Sequence, residues 1–323
     1  MGRFISGDME IENTLYRPDC LVVHGPLRGG TTLLRLMLDG HPNMRCIGEN
    51  DYLLDYLIFE ENGARYDRDG LAADRIFQAS GLVLNEGVDG VTAFWDLVEQ
   101  IGADGAMPVL MIHRNLVKIT KLMETPKVLR FTRDPRDSAR SAIGMGWAGN
   151  VYHGVESWLT TERSWRDFEA IETDTQVQRL RYEDLVAAPE ARLRDICDFV
   201  GLPYVADLLA YPATTKYDAP DASLAFQWKH KLSDRETTLV EYRVGHLLAG
   251  AGYEPSGLPI LPPTNAERRR FAVSNKWSVW SRLIKRYGVL SPVLRGLGKR
   301  LGLRRLERFA QRRMDVVTVK YLK

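Results

Sequence analysis

At 323 residues, with 45% hydrophobic and 27% charged side chains, the chain has the make-up of a globular protein of one or two domains. Its net charge of +2 hides two unlike parts: 17 Lys and Arg against two acids fall between Arg268 and Lys323, leaving 27 basic and 40 acidic residues before them. Three cysteines (Cys20, Cys46 and Cys197) without CxxC spacing exclude a disulfide framework or a zinc site and indicate reduced thiols in a cytosolic setting.

The polar, acid-bearing start, residues 1–19, is expected to be an extension rather than a signal peptide. No run in the chain approaches the roughly 18–20 apolar residues of a membrane-spanning helix. The first apolar run, Cys20–His24, is short enough for a buried strand. It leads into Gly25-Pro-Leu-Arg-Gly-Gly-Thr-Thr32 and then the helical pattern LLRLMLDG. The spacing follows the phosphate-cradling GxxxxGK[ST] loop, with Thr31 where that loop has lysine. Glycines let backbone N–H groups turn towards an anion, and the helix start adds its positive dipole end. Arg28 can supply the missing cation by a two-pronged grip on two oxygens.

Pro108–Ile112 and Lys127–Thr132 are the next expected strands. After the second comes Arg133-Asp-Pro-Arg-Asp-Ser-Ala-Arg-Ser141. Asp134 suits a helix cap, Pro135 the first helical position, and Asp137 the first turn. That register puts Arg133 at the strand end and Ser141 about two turns into the helix, so both can face a second anion beside the first loop. Val155, Trp158, Leu159, Trp165 and Phe168 recur at helical spacing. Val177–Tyr182 is a fourth expected strand, and the helix through Ile196–Val200 stops at Gly201-Leu-Pro203. Alternation of this kind predicts an α/β fold: a P-loop-like, mostly parallel sheet flanked by helices, with ligands beyond the C-terminal strand ends.

Four prolines in Pro255–Asn265 mark a boundary, which divides the chain into residues 1–19, 20–255, a linker at 256–265, and a basic helical extension at 266–323. In the extension, Trp277, Trp280, Leu283, Ile284 and Tyr287 share a helical face beside Lys276, Arg282, Lys285 and Arg286. Gly288 and Pro292 are expected to break that helix, and a second is expected across Leu294–Met314. A basic amphipathic stretch over 268–314 suits an anionic membrane surface, or it pairs with the acidic body while its Trp face joins the core. No nucleic-acid recognition module is present.

Together these pieces resemble the sulfotransferases that use 3′-phosphoadenosine-5′-phosphosulfate (PAPS). Arg28-Gly-Gly-Thr-Thr-Leu-Leu34 resembles the R-S-G-T-T-L-L loop that holds the 5′-phosphosulfate, with Leu27 and Gly29 where Pro and Ser are usual. Arg133-Asp-Pro-Arg-Asp…Ser141 resembles the 3′-phosphate site, Arg181-Tyr-Glu-Asp-Leu185 and Phe199–Pro203 the YEDL…FLGLP block, and Ala249–Tyr253 the closing L-G-Y. The stretch Met37–Glu49 is most similar to tyrosylprotein sulfotransferases and their bacterial relatives, in which a glutamate at the position of Glu49 is the general base.

The resemblance implies PAPS as donor, with adenosine 3′,5′-bisphosphate as product, no metal, and Arg28, Gly29, Gly30, Thr31, Thr32, Leu33, Arg133, Ser141 and Tyr182 as binding residues. Glu49 and Arg28 would be catalytic. Where the family carries a K-x-P lysine this chain has Ile112-His-Arg-Asn-Leu116, so His113 or Arg114 would replace it; His113 is also the rival base. The acceptor would be a hydroxyl or amine of a small molecule, glycan or lipid. The chain would be cytoplasmic, with peripheral contact at the inner membrane face as one use of the tail. The competing readings are a P-loop-type nucleotide kinase and a non-catalytic, membrane-associated nucleotide-binding protein.

Overall fold

A computed structural model describes residues 19–171 and 175–322. The expected extension at 1–18 lies outside the described residues. The sheet is built from β1 (Leu21–His24), β2 (Met44–Arg45), β5 (Met107–Ile112), β6 (Lys127–Thr132) and β7 (Gln176–Arg181). The order is β2-β5-β1-β6-β7, with every neighbouring pair parallel. A separate antiparallel hairpin joins β3 (Leu57–Glu60) and β4 (Gly63–Tyr66).

Period-two alternation sorts the central strands onto two cores. Val22, Leu110, Ile112 and Val128 pack with Tyr52, Phe94, Trp95 and Trp165 on one face. Leu21, Val23, Val109, Met111, Leu129 and Phe131 pack with Leu34, Met37, Leu193 and Ile196 on the other. Strands covered on both faces can be uninterrupted apolar runs, which is why these runs were legible as strands. Cys20, Cys46 and Cys197 are free and buried, and burial pushes the Cys20 and Cys46 thiols up to about 12.

The helices that frame the site are α1 (Thr31–Leu38), α2 (Asp51–Asp55), α3 (Pro135–Gly144), α4 (Glu156–Glu169), α5 (Tyr182–Ala187) and α6 (Asp234–Val244). Asp134 caps α3 by accepting from Arg136 N, with Pro135 first in the helix. The expected fourth strand ends one residue early, because Tyr182 opens α5 and Glu183 and Asp184 supply acids to its first turn.

The tail folds as α7 (Asn265–Tyr287), α8 (Leu290–Arg300) and α9 (Arg304–Leu322). Two expectations are corrected here. Pro292 breaks nothing, since it lies in the first turn of α8, where no intrahelical N–H is required; Gly288, at φ 72°, ends α7. The stretch 294–314 is not one helix, because the chain turns between Leu301 and Leu303 through Gly302 at φ 66°.

Candidate functional site

The loop after β1 and the start of α3, which follows β6, meet at the C-terminal edge of the sheet because β1 and β6 are adjacent in register. Gly25 has no room for a side chain: a Cβ there would sit 2.7 Å from the Phe131 carbonyl oxygen. Gly30 caps α1 in the left-handed region at φ 92°, and a Cβ on it would fall 2.3 Å from Tyr182 Cδ2. Arg28 also adopts positive φ, 69°, a conformation costly for a residue with a side chain and one that concentrates at functional loops.

The two arginines singled out from sequence are physically linked. Arg28 Nε donates to Ser141 Oγ at 3.2 Å, and Arg133 Nη1 donates to the Arg28 carbonyl at 3.3 Å. The Arg133 guanidinium lies 4.1 Å from the centre of the Tyr182 ring, and its Nε is buried without a partner. Burial, and then the neighbouring Arg133, push the Arg28 guanidinium below its ordinary range. Two cations held this close mark a place built for negative charge.

They wall a cavity of about 470 Å³, within the range of small-ligand pockets. Leu27, Arg28, Gly30, Thr31, Thr32, Leu33, Glu49, Arg133 and Tyr182 line it. Gly29 and Ser141 are not among the lining residues, although Ser141 accepts from Arg28, which is. Sequence reasoning missed the remaining wall: Trp147, Leu224 and the segment Tyr217–Asp221. Trp147 lies 5.6 Å from the Arg28 guanidinium. No local pattern marks these residues: Trp147 follows α3, and the chain after Leu224 is tied to α3 by Asp137 accepting from Gln227 N and Trp228 N at 3.1 and 2.7 Å. Lys229 and Lys231, on the short helix Trp228–Lys231 that follows, lie outside the lining: Lys229 sits over Phe226 and Lys231 donates to Gln227.

Glu49 is bridged to Met111 at the end of β5, and its side chain is 43% exposed. His113 follows β5 and is buried, with Nε2 3.9 Å from Glu49 Oε1. Its Nδ1 is 2.6 Å from the Gly25 carbonyl, which only accepts, so Nδ1 carries the proton and Nε2 faces Glu49. Arg114 is not brought to the cleft. Its Nε donates to both oxygens of Asp55, the last residue of α2, at 3.0 and 3.1 Å. Of the two residues left open at this position, only His113 adjoins Glu49.

A second cavity of about 510 Å³ lies beside β6 and β7. Three of its four arginines are engaged, as Arg130–Glu162, Arg179–Glu169 and Arg181–Asp184; Arg166 is the fourth.

The profile described as the sulfotransferase family matches residues 19–207, more than half of the chain. The chain belongs to the sulfotransferase family. It is an enzyme of sulfuryl transfer, and the match does not favour the kinase and non-catalytic readings. Protein-tyrosine sulfotransferase A of Caenorhabditis elegans is 25% identical over 195 residues, covering 57% of this chain and 50% of that protein. Protein-tyrosine sulfotransferase 1 of Danio rerio is 25% identical over 195 residues, covering 57% and 53%. The sulfotransferase thus spans about half the length of these two relatives. A solved sulfotransferase domain from the curacin biosynthetic pathway shares the fold, with TM-score 0.52 and 19% identity over 75% of this chain and 99% of that one.

The packing of Gly30 against Tyr182 makes one strong prediction. Gly30→Ala should weaken binding of adenosine 3′,5′-bisphosphate at least about tenfold by calorimetry, because Tyr182 is buried beneath Arg133 and has nowhere to retreat. Unchanged affinity would mean that the loop does not hold the phosphates.

Proposed function

We propose that this sulfotransferase takes its sulfuryl group from PAPS and passes it to a hydroxyl or amine of a small-molecule, glycan or lipid acceptor. The observation that carries the donor assignment is the linked pair of arginines, Arg28 on the loop and Arg133 at the head of α3, facing one cleft. The residues fit such a donor. The Gly30–Thr32 amides at the start of α1, with Arg28, would hold the 5′-phosphosulfate. Arg133, with an unpartnered buried Nε, and Ser141 would hold the 3′-phosphate, and Tyr182 supports the nucleoside side.

Bound there, the donor supplies an activated sulfuryl group on a phosphate leaving group. The chain's own task is to position, to neutralise and to take a proton. Arg28 and the loop amides place positive charge where negative charge grows, and such preorganised donors are each worth about 3–4 kcal/mol. Glu49, on the cleft wall, removes the acceptor's proton. His113 Nε2, whose orientation is held by the Gly25 carbonyl, faces Glu49 across 3.9 Å as the neighbouring base.

Thermal unfolding with adenosine 3′,5′-bisphosphate, against Mg·ATP at equal concentration, tests the donor. At about 100 times its Kd the bisphosphate should add roughly 2.7 kcal/mol of stability, and Arg133→Ala should abolish that shift. A shift with Mg·ATP alone would remove PAPS as the donor.

A further inference from the structure

The helix α7 has two unlike faces. One is seated on the body: Gly149 N donates to Asn275 Oδ1 at 2.7 Å, Asn150 Nδ2 donates to the Phe271 carbonyl at 2.9 Å, and Arg282 reaches the Ile143 carbonyl. The Trp face expected to join the core turns the other way. Val273, Trp277, Trp280 and Ile284 form a stripe at i, i+4, i+7 and i+11, and they are 68, 77, 40 and 36% exposed. Leu290, Leu297 and Leu301 extend the apolar surface along α8 at 55, 44 and 65%. Contiguous exposed apolar residues on this scale mark an interaction surface.

The charge around the stripe says which kind. Arg269, Arg270, Lys276 and Lys285 are exposed along α7. In the ion pairs Arg235–Glu267 and Arg75–Asp315 the tail supplies the acid and the body the base, so these contacts use up tail acids rather than tail bases. Arg282 and Arg268 are turned to the body, at the Ile143 carbonyl and Tyr242 Oη, while Arg269, Arg270, Lys276 and Lys285 stay exposed and keep the charge beside the stripe basic. A tryptophan-bearing apolar stripe flanked by Lys and Arg suits the headgroup layer of an anionic bilayer. Among the described residues no helix is long and apolar enough to cross a membrane, so the contact is in the plane of the surface.

The docked face of α7 adds a connection to the cleft. Its Arg282 packs on Gly146, where an added Cβ would lie 2.9 Å from Arg282 Cδ. The same short loop carries Trp147, 49% exposed and beside Arg28 in the cleft wall, and Met145, 45% exposed. One helix diameter, about 10 Å, separates the outward stripe from the loop that borders the active-site mouth.

We propose that α7 and α8 rest on an anionic bilayer, and that they hold the cleft mouth at that surface, where an amphiphile bearing a hydroxyl or amine is the acceptor. The acceptor half of this proposal rests on the sulfuryl-transfer reading, and the docking half does not.

The full chain is sedimented with vesicles of phosphatidylcholine alone and with 30% phosphatidylglycerol, at low and high salt. Binding is expected on the anionic vesicles and is expected to fall steeply with salt. The variant Trp277→Ala/Trp280→Ala/Ile284→Ser should bind at least about tenfold more weakly. A charge variant, Arg269→Glu/Lys276→Glu, should lose binding with the apolar stripe intact. Both should keep the bisphosphate-induced thermal shift, which shows that they are folded and separates this proposal from the donor assignment. Absence of binding to anionic vesicles overturns docking, as does equal binding to neutral ones. A concentration-dependent dimer lost in the stripe variant would overturn it in favour of a second copy on this face. Vesicle binding without any bisphosphate shift would sink the donor assignment and leave the docking in place.

Discussion

Glu49→Gln is expected to lower kcat by about 10²–10⁴-fold while leaving the affinity for adenosine 3′,5′-bisphosphate unchanged. The amide keeps the size of the side chain and its place on the cleft wall, but it cannot accept the acceptor's proton. Glu49 is presented by its bridge to Met111, and its pull on the Arg28 guanidinium is the weakest of the influences there, so bisphosphate affinity should hold. The neighbouring imidazole provides a second readout. With Nδ1 tied to the Gly25 carbonyl, His113→Asn should lower kcat less than Glu49→Gln and shift the pH dependence of kcat. A Glu49→Gln enzyme with near-normal turnover and a His113→Asn enzyme without any would exchange the two roles. Single-turnover rates with saturating donor separate the proton step from product release.

Arg136→Met is expected to cost about 3–5 kcal/mol of stability, although Arg136 touches no part of the cleft lining. The guanidinium is 2% exposed and joins Asp134 Oδ2 and Glu241 Oε1, each at 2.7 Å. It also lies 3.6 Å from the centre of the Trp228 ring. Removing it leaves the two acids buried without their cation, and that penalty exceeds what the pair itself contributes. Asp134 caps α3, while Glu241 on α6 also accepts from Ser256 N and Ser256 Oγ, so the loss spreads to both helices. For a chain of 323 residues the melting temperature should fall by roughly 4–7 °C. Arg194→Met, which breaks an exposed i,i+4 pair with Glu190, serves as the control and should leave it unchanged. A similar melting temperature for both variants would show that the Asp134–Arg136–Glu241 network is dispensable.

Much of the donor site was legible because its signals are local. A glycine that must adopt positive φ, an apolar run before it and a helix after it lie within a dozen residues, and Gly30 at φ 92° between β1 and α1 is the result. The same holds for Asp134 and Pro135 at the head of α3. The missing cleft wall was not legible, since Tyr217–Asp221 reaches the cleft on a loop whose anchor, Asp137, lies about 90 residues earlier in the chain. Sequence periodicity placed Trp277 and Trp280 on one face of a helix but carried no sign of its direction. The body takes the opposite face through Asn150, Gly149 and Ile143.

His113 and Arg114 show the same division at single-residue scale. Adjacent residues after a strand point opposite ways, so one of them had to face β1 and the other had to turn from it. Which one did so depended on Asp55, 59 residues away, being in place to take the arginine, and on the Gly25 carbonyl, 88 residues away, to take the imidazole. By itself the sequence determined the parallel α/β architecture, the glycine-rich turn before α1, the capped start of α3 and the charge division between body and tail, because propensity, turn chemistry and charge are properties of short segments or of simple sums. Tertiary structure alone decided which base adjoins Glu49, what closes the cleft and which way the tail faces. Those outcomes depend on contacts between segments whose separation in the chain says nothing about their distance in space.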